Sequence, residues 1–355
     1  MNCPWRRQVE RFSHQYLQLQ SDLDFPQAEY LRLDEVQDEL HTSLFSKDGS
    51  NVGPPVRYRL TTLKELVSRI ESSIDDWEQY AVSDDIMSAL CTTMAMPLPS
   101  EAVTAQAKCY VTYHLSLLDR GDHATGEHAT DNRARPCTTL PTITFLENHS
   151  LVSAGGTTGL RTWEAALHMG QYLCLNPSLV AGKRVLELGA GTGYLSVLCA
   201  KHLEAAHAIV SDGSDDVITN MPENLLLNGL QGSSRITSMH LEWGHALVAA
   251  EDKIWNRSIP VDVVLGADIT YDQRAAPALV ATLLQLFELY PTVKVYMAVT
   301  ERNPKTFQAF LDASKREKLS VESLSFKVPP REQQNAPFYN DQAAIQLCRV
   351  SRAQR

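Results

Sequence analysis

Two hydrophobic rhythms divide the chain. Up to about residue 119, apolar positions recur every three or four residues, the period of a helix with one buried face. In LTTLKELVSRIESSIDDWEQYAV this puts Leu63, Leu66, Val67, Ile70, Ile74 and Trp77 on one stripe. WRRQVERFSHQYLQL and AVTAQAKCYVTYHLSLL read the same way. The pattern predicts a helical amino-terminal domain over residues 1–119, and nothing in it carries chemistry, so it reads as a packing or partner-docking module. The polar run RGDHATGEHATDNRARP then marks a linker over 120–137.

Beyond the linker, apolar runs alternate with helical patterns. Strands are predicted at 183–189, 206–212, 235–243, 261–268, 293–300, 320–326 and 343–350, with helices at TWEAALHMGQYLCL, GYLSVLCAKHL, DVITNMPENLLLN, APALVATLLQLFELY and PKTFQAFLDASKRE. The early strands are short and almost wholly apolar, as expected of a parallel sheet covered on both faces. Strand–helix alternation predicts an α/β doubly wound sheet over residues 138–355. No helix separates the last two strands, which predicts a reversed, antiparallel hairpin at the end of the sheet. The polar stretch between them, SFKVPPREQQNAPFYNDQ, is either a gate or a connection.

Composition narrows the class. Of 355 residues 44% are hydrophobic and 21% charged, which allows a sizeable core without staples. No apolar run approaches the roughly 18 residues that span a bilayer, so no membrane association is expected. MNCPWRRQVERF carries two arginines and no apolar stretch behind them, unlike a secretory signal. The seven cysteines are scattered and form no C-x-x-C pair, the pattern of reduced thiols in a cytoplasmic or nuclear protein. A net charge of −10 disfavours direct nucleic-acid binding and suits a basic protein surface as partner. His123 and His128 in HATGEHAT read as a solvated loop, so no metal is expected. Nothing in the sequence speaks for an oligomer, and a monomer is assumed.

The chemistry begins at VLELGAGTGYL, residues 185–195. Gly189, Gly191 and Gly193 follow a strand and open a helix, the setting in which such a loop has meaning. No Lys-Ser/Thr follows the last glycine, which excludes a P-loop. A dinucleotide fingerprint would put its third glycine at Tyr194, where helix and strand pack closely, so a dehydrogenase is disfavoured. The spacing instead leaves the backbone at Gly189, Ala190 and Gly191 free to approach an adenosine ligand. Asp212 ends the next strand nineteen residues beyond Gly193, where a carboxylate accepts ribose hydroxyls; turn chemistry before Gly213 is the alternative. Glu187 either faces a ligand ammonium group or orders the loop backbone.

VLELGAGTGYLSVLCAK followed by IVSDGS resembles the S-adenosyl-L-methionine site of the class I, seven-stranded methyltransferases, over about residues 140 to 350. The resemblance implies a Rossmann-like sheet of seven strands and that cofactor. Further on, LGADITYD ends the fourth strand, and its Asp268-x-x-Tyr271 spacing resembles the motif of a family of protein lysine methyltransferases acting mostly on non-histone targets. Ile269 and Thr270 replace the prolines of amino-methylating DNA enzymes. TTGLRTWEAALHMGQYL and HLEWG resemble two further segments of that family, which implies cofactor contacts at Trp163 and Trp243, with Ala267 as a backbone contact. Asp268 and Tyr271 are the implied catalytic pair, Asp268 anchoring the incoming amine and Tyr271 lining its channel. Thr300, Glu301 and Arg302 fall on the same side of the sheet, and Arg302 reads as structural. With its helical extension and VTERNPKTFQAF, the chain looks most like the enzymes that methylate a lysine of eukaryotic elongation factor 2. Three other readings stay open: a lysine methyltransferase of another non-histone protein, a small-molecule methyltransferase, and a silent cofactor-binding scaffold.

Overall fold

The computed structural model describes residues 4–46, 53–100, 103, 107–118, 140–148, 158–247 and 260–353. The linker expected over 120–137 lies outside the described residues. The chain forms two compact units, one of Met1–His114, Thr144–Leu151 and Asn335–Phe338, the other of Leu115–Ile143, Val152–Gln334 and Tyr339–Arg355.

The first unit is built from helices α1 (Pro4–Leu17), α2 (Ala28–Leu31), α3 (Asp34–Leu44), α4 (Val56–Ser73) and α5 (Asp84–Ala95). Their apolar stripes meet in a core around Phe12, Tyr16, Leu40, Leu63, Leu66 and Ile86. Two expectations fail here. Trp77 is not on the α4 stripe: the helix stops at Ser73, and the indole is 61% exposed. Ser72 and Ser73 turn their hydroxyls back to the carbonyls of Ser68 and Ile70, and the Asp76 carboxylate accepts the Glu78 amide in an Asx-type turn. Nor is 109–114 helical; only Ser116–Leu118 makes a short 3-10 turn. Cys109–His114 is strand β1, paired in a two-stranded sheet with β2 (Thr142–Glu147). Cys109, Val111 and Tyr113 alternate inward, and such β-branched and aromatic positions suit a half-buried strand once a partner exists. The Tyr113 hydroxyl donates to the buried Glu147 carboxylate at 2.9 Å.

The second unit carries a seven-stranded sheet of β3 (Arg184–Leu188), β4 (His207–Asp212), β5 (Ile236–His240), β6 (Val263–Ala267), β7 (Lys294–Thr300), β8 (Leu319–Leu324) and β9 (Ile345–Arg352), in the order β5-β4-β3-β6-β7-β9-β8. Pairing is parallel from β5 through β7, while β9 runs antiparallel to both neighbours. The doubly wound sheet and its reversed terminal hairpin are as predicted. Helix α6 (Glu164–Leu175) precedes the sheet, and among the described residues α7 (Tyr194–Lys201), α8 (Asp215–Leu227), α9 (Ala276–Leu289) and α10 (Pro304–Arg316) connect its strands. One sheet face, with Leu186, Ile209, Val264, Val295 and Val350, packs on α9 and α10. Alternation sends Val185, Glu187, Val210 and Leu265 to the other face, on the side of α6 and α7.

The order places a topological switch between β3 and β6, because the chain leaves β3 toward β4 on one side and returns to β6 on the other. In open α/β sheets ligands bind beyond the carboxyl ends of the strands at such a point. Phe326 and Tyr339, near the two ends of the polar stretch after β8, are tied down within this unit. His168 of α6, fully buried, reaches the Phe326 carbonyl through Nε2 and the Tyr339 hydroxyl through Nδ1, each at 3.1 Å. A carbonyl only accepts, so Nε2 carries the proton and Nδ1 accepts from Tyr339.

Candidate active site

A cavity of about 790 Å³ opens beyond the carboxyl ends of β3, β4 and β6. Trp163, Glu187, Gly189, Ala190, Gly191, Asp212, Trp243, Ala267, Asp268 and Tyr271 all line it. Gly193 stands apart from them. It precedes α7 with φ +84°, and a β-carbon there would meet the Met221 sulfur at 3.0 Å. Its freedom serves the entry into the helix.

The loop after β3 is shaped by close approach. Gly191 has φ +54°, and a β-carbon would lie 3.2 Å from the Gly159 backbone, which has no side chain to move aside. Gly189, at φ +58°, lies under the side chains of Ile269 and Trp243, with a β-carbon only 2.7 Å from Ile269 Cγ2. The same isoleucine leaves no room for a side chain at Gly266. Loop, indole and the residue after Asp268 therefore form one packed floor.

Two carboxylates hold this loop. Glu187 is buried, and its Oε2 accepts the Ser196 amide at 2.8 Å, at the first turn of α7. Burial raises its carboxyl to about 7 against the helix-terminal amides that favour the charge. Of the two roles open from sequence, ordering the backbone is the one the hydrogen bond makes. Asp212 accepts the Gly191 amide on Oδ2 at 3.0 Å and the Ser214 amide on Oδ1 at 2.9 Å. It is thus a turn residue as well as a wall of the cavity. Burial raises its carboxyl above the usual range.

On the opposite wall, Asp268 follows β6 with φ +54°, a left-handed conformation costing a non-glycine residue about 1 kcal/mol. Its own bonds hold it there. The amide donates to the Ala298 carbonyl at 2.9 Å; Oδ1 accepts the Thr300 amide at 2.7 Å; Oδ2 accepts the Thr300 hydroxyl at 2.9 Å and Arg302 Nη1 at 3.3 Å. A carboxylate offers about four acceptor positions, so three donors leave it nearly saturated. Burial pushes its carboxyl up, and Thr300 and Arg302 pull it back.

Arg302 is the residue least legible in the sequence. Its second nitrogen binds Glu164 Oε2, its guanidinium lies 4.8 Å from the Trp163 ring centroid, and Arg161 lies 4.3 Å from the same ring. Arg161 also reaches Glu164 Oε1 at 3.5 Å. The Trp163 Nε1 donates to the Thr158 carbonyl at 2.9 Å, so the indole is fixed at its edge and over its ring. The sequence hint was a charged residue on either side of the tryptophan, in Arg161-Thr162-Trp163-Glu164. Tyr271 stands at the rim, 58% exposed, with its ring free for an incoming group.

This constellation can be set beside known proteins. A family model described as lysine methyltransferase matches residues 149–317. Protein-lysine N-methyltransferase EFM3 of Chaetomium thermophilum is 51% identical over 345 residues, covering 97% of this chain and 98% of its own length. The chain belongs to the lysine methyltransferase family. It is a protein-lysine N-methyltransferase with S-adenosyl-L-methionine as cofactor, and its substrate is a protein. The human protein-lysine N-methyltransferase EEF2KMT is 31% identical over 221 residues, covering 59% of this chain and 64% of that protein. Among solved structures, a SAM dependent methyltransferase from Aquifex aeolicus overlaps 52% of this chain and 90% of its own, at 12% identity and a TM-score of 0.36. Among the described residues no helix is long and apolar enough to cross a membrane, and no cluster of side chains could hold a metal ion.

Proposed function

We propose that this lysine methyltransferase modifies a lysine of eukaryotic elongation factor 2. The single observation behind that reading is that the 51% match to EFM3 runs through the helical extension as well as the methyltransferase core. The motifs around Trp163, Trp243 and Asp268 and the extension together resemble the elongation factor 2 group.

The cavity suits the cofactor. Its volume of about 790 Å³ is in the range of small-molecule sites, and the glycines leave the loop backbone bare toward it. In our reading Gly189, Ala190 and Gly191 hold the cofactor along the loop and Asp212 takes the ribose hydroxyls with its remaining lone pairs. Trp243, already packed over Gly189, would flank the adenine, and Trp163 and Ala267 would add further cofactor contacts. Bound there, S-adenosyl-L-methionine supplies an electrophilic methyl on a sulfonium sulfur, open to in-line displacement by an amine lone pair, with the S–C electron pair returning to sulfur.

The chain's own residues then present the amine. Asp268, fixed by Thr300 and Arg302, offers one remaining acceptor position at which an amine N–H can be oriented. Tyr271 at the rim guides the lysine by its ring, which attracts a cation before its proton is lost to water. The amine must arrive neutral: with an ordinary value near 10.4, deprotonation at pH 7 costs about 4–5 kcal/mol. Positioning accounts for much of the remaining barrier.

Labelled methyl transfer into a lysate of cells lacking this protein, resolved by size, tests the reading. One band at the size of elongation factor 2, lost with Asp268→Ala although that variant still binds cofactor, is expected. A band at another size overturns the substrate. No band, with cofactor bound, overturns the activity in favour of a silent scaffold.

A further inference from the structure

Asp268 poses a problem. A carboxylate beside the acceptor amine helps to orient it, and its negative charge also holds the amine as ammonium, which has no lone pair to give. An uncompensated aspartate would thus oppose the reaction it positions. The structure does not leave it uncompensated. Arg302 Nη1 lies 3.3 Å from Asp268 Oδ2, and the same guanidinium ties to Glu164 and covers Trp163. Arg161 completes the set, so that two carboxylates and two guanidiniums stand together around one indole. Arginine suits this place because its planar fork serves two carboxylates at once and never gives up its charge.

We propose that Arg302 is a positioning residue that offsets the charge of Asp268 at the reacting centre, so that an amine oriented by the carboxylate can still shed its proton. Arg302 acts through Asp268 and does not itself touch the reacting atoms. The inference rests on the cavity being the cofactor and amine site. It adds that the negative wall of that site is neutralised by a guanidinium that itself lines the cavity, on the residue two positions after β7.

The test needs no protein substrate. S-adenosyl-L-methionine carries a positive sulfur and S-adenosylhomocysteine a neutral one, so the ratio of their affinities reads the field at the transfer position. Calorimetry at pH 8.5 on wild type, Arg302→Gln, Arg302→Lys and Asp268→Asn gives that ratio. Removing the guanidinium charge from the edge of the cavity should favour the cation on the order of tenfold in Arg302→Gln. Arg302→Lys should restore the wild-type ratio. Asp268→Asn should shift the ratio the other way, toward the neutral ligand relative to wild type, because it removes the negative charge that Arg302 offsets.

Arg302 is 44% exposed, so its replacement leaves the fold standing, as thermal melting will verify. Equal loss of both affinities, with the ratio fixed, would make Arg302 a structural prop and overturn the proposal. So would an unchanged ratio in Asp268→Asn, since the carboxylate would then place no field at the transfer position for Arg302 to offset. If wild type binds neither ligand, the reading of the cavity fails first, and the two failures are told apart.

Discussion

Replacing Glu187 by glutamine should make the protein less sensitive to alkaline pH. The carboxyl is buried on the covered face of the sheet with Oε2 on the Ser196 amide, and burial lifts it from 4.5 to about 7, Asp212 adding to the effect. The folded protein therefore keeps a proton here that the unfolded chain has already lost. Between pH 4.5 and 7 the folded state binds more protons, so its stability falls as pH rises. The contribution is fully present below 4.5 and gone above about 7. Evaluated from pH 5 to pH 8.5, the difference comes to roughly 2–3 kcal/mol. Glutamine keeps the oxygen that accepts the Ser196 amide and has no proton to lose.

Urea unfolding of cofactor-free protein, followed by tryptophan fluorescence at several pH values, measures this. His14, His114 and His168 are held neutral by burial, near 4, 3 and 4, and destabilise the fold as pH falls below 6.5. They act with opposite sign and equally in both proteins. The quantity to follow is therefore the difference between wild type and Glu187→Gln, expected to shift by roughly 2–3 kcal/mol in favour of the variant between pH 5 and pH 8.5. Parallel curves would mean that the carboxyl is ionised in the folded protein and would refute the argument.

Two further substitutions probe the walls. Gly191→Ala, with φ +54° and Gly159 backbone 3.2 Å from the new carbon, should lose about 1–2 kcal/mol and bind cofactor at least tenfold more weakly. Gly182→Ala shares the left-handed strain at φ +68° but meets nothing within 4 Å, so it should lose stability alone; calorimetry showing both variants binding alike would refute the assignment. Thr300→Val removes the hydroxyl on Asp268 Oδ2 and leaves the Thr300 amide on Oδ1, which should lower stability by about 1–3 kcal/mol; an unchanged denaturation midpoint would show that Asp268 does not depend on that bond.

The sheet was legible because its signal is local. Runs such as Ala208–Val210 and Val263–Leu265 are apolar on both faces, the pattern expected of a covered parallel sheet. The glycine loop and Asp268 could be placed for the same reason: each follows such a run, and strand ends define the ligand side. Helix ends and the first hairpin were not legible. Leu63 to Ile70 set the α4 rhythm, yet its end is decided by serine and aspartate side chains bonding locally, and Trp77 continues the spacing without the helix. Cys109–His114 became a strand because β2, some thirty residues later, pairs with it. Arg302 could be placed on the site side, but what it binds escaped for a related reason. Its partners Asp268 and Glu164 are 34 and 138 residues away, a proximity that only the winding of the sheet creates.

The central claim, that this cavity methylates a lysine of elongation factor 2, is tested most directly with the purified factor. Incubation with the enzyme and S-adenosyl-L-methionine, followed by peptide mass spectrometry, should show methylation confined to lysine, growing with time and absent with Asp268→Ala. A factor that stays unmodified while another protein in the same extract gains methyl groups would contradict the assignment.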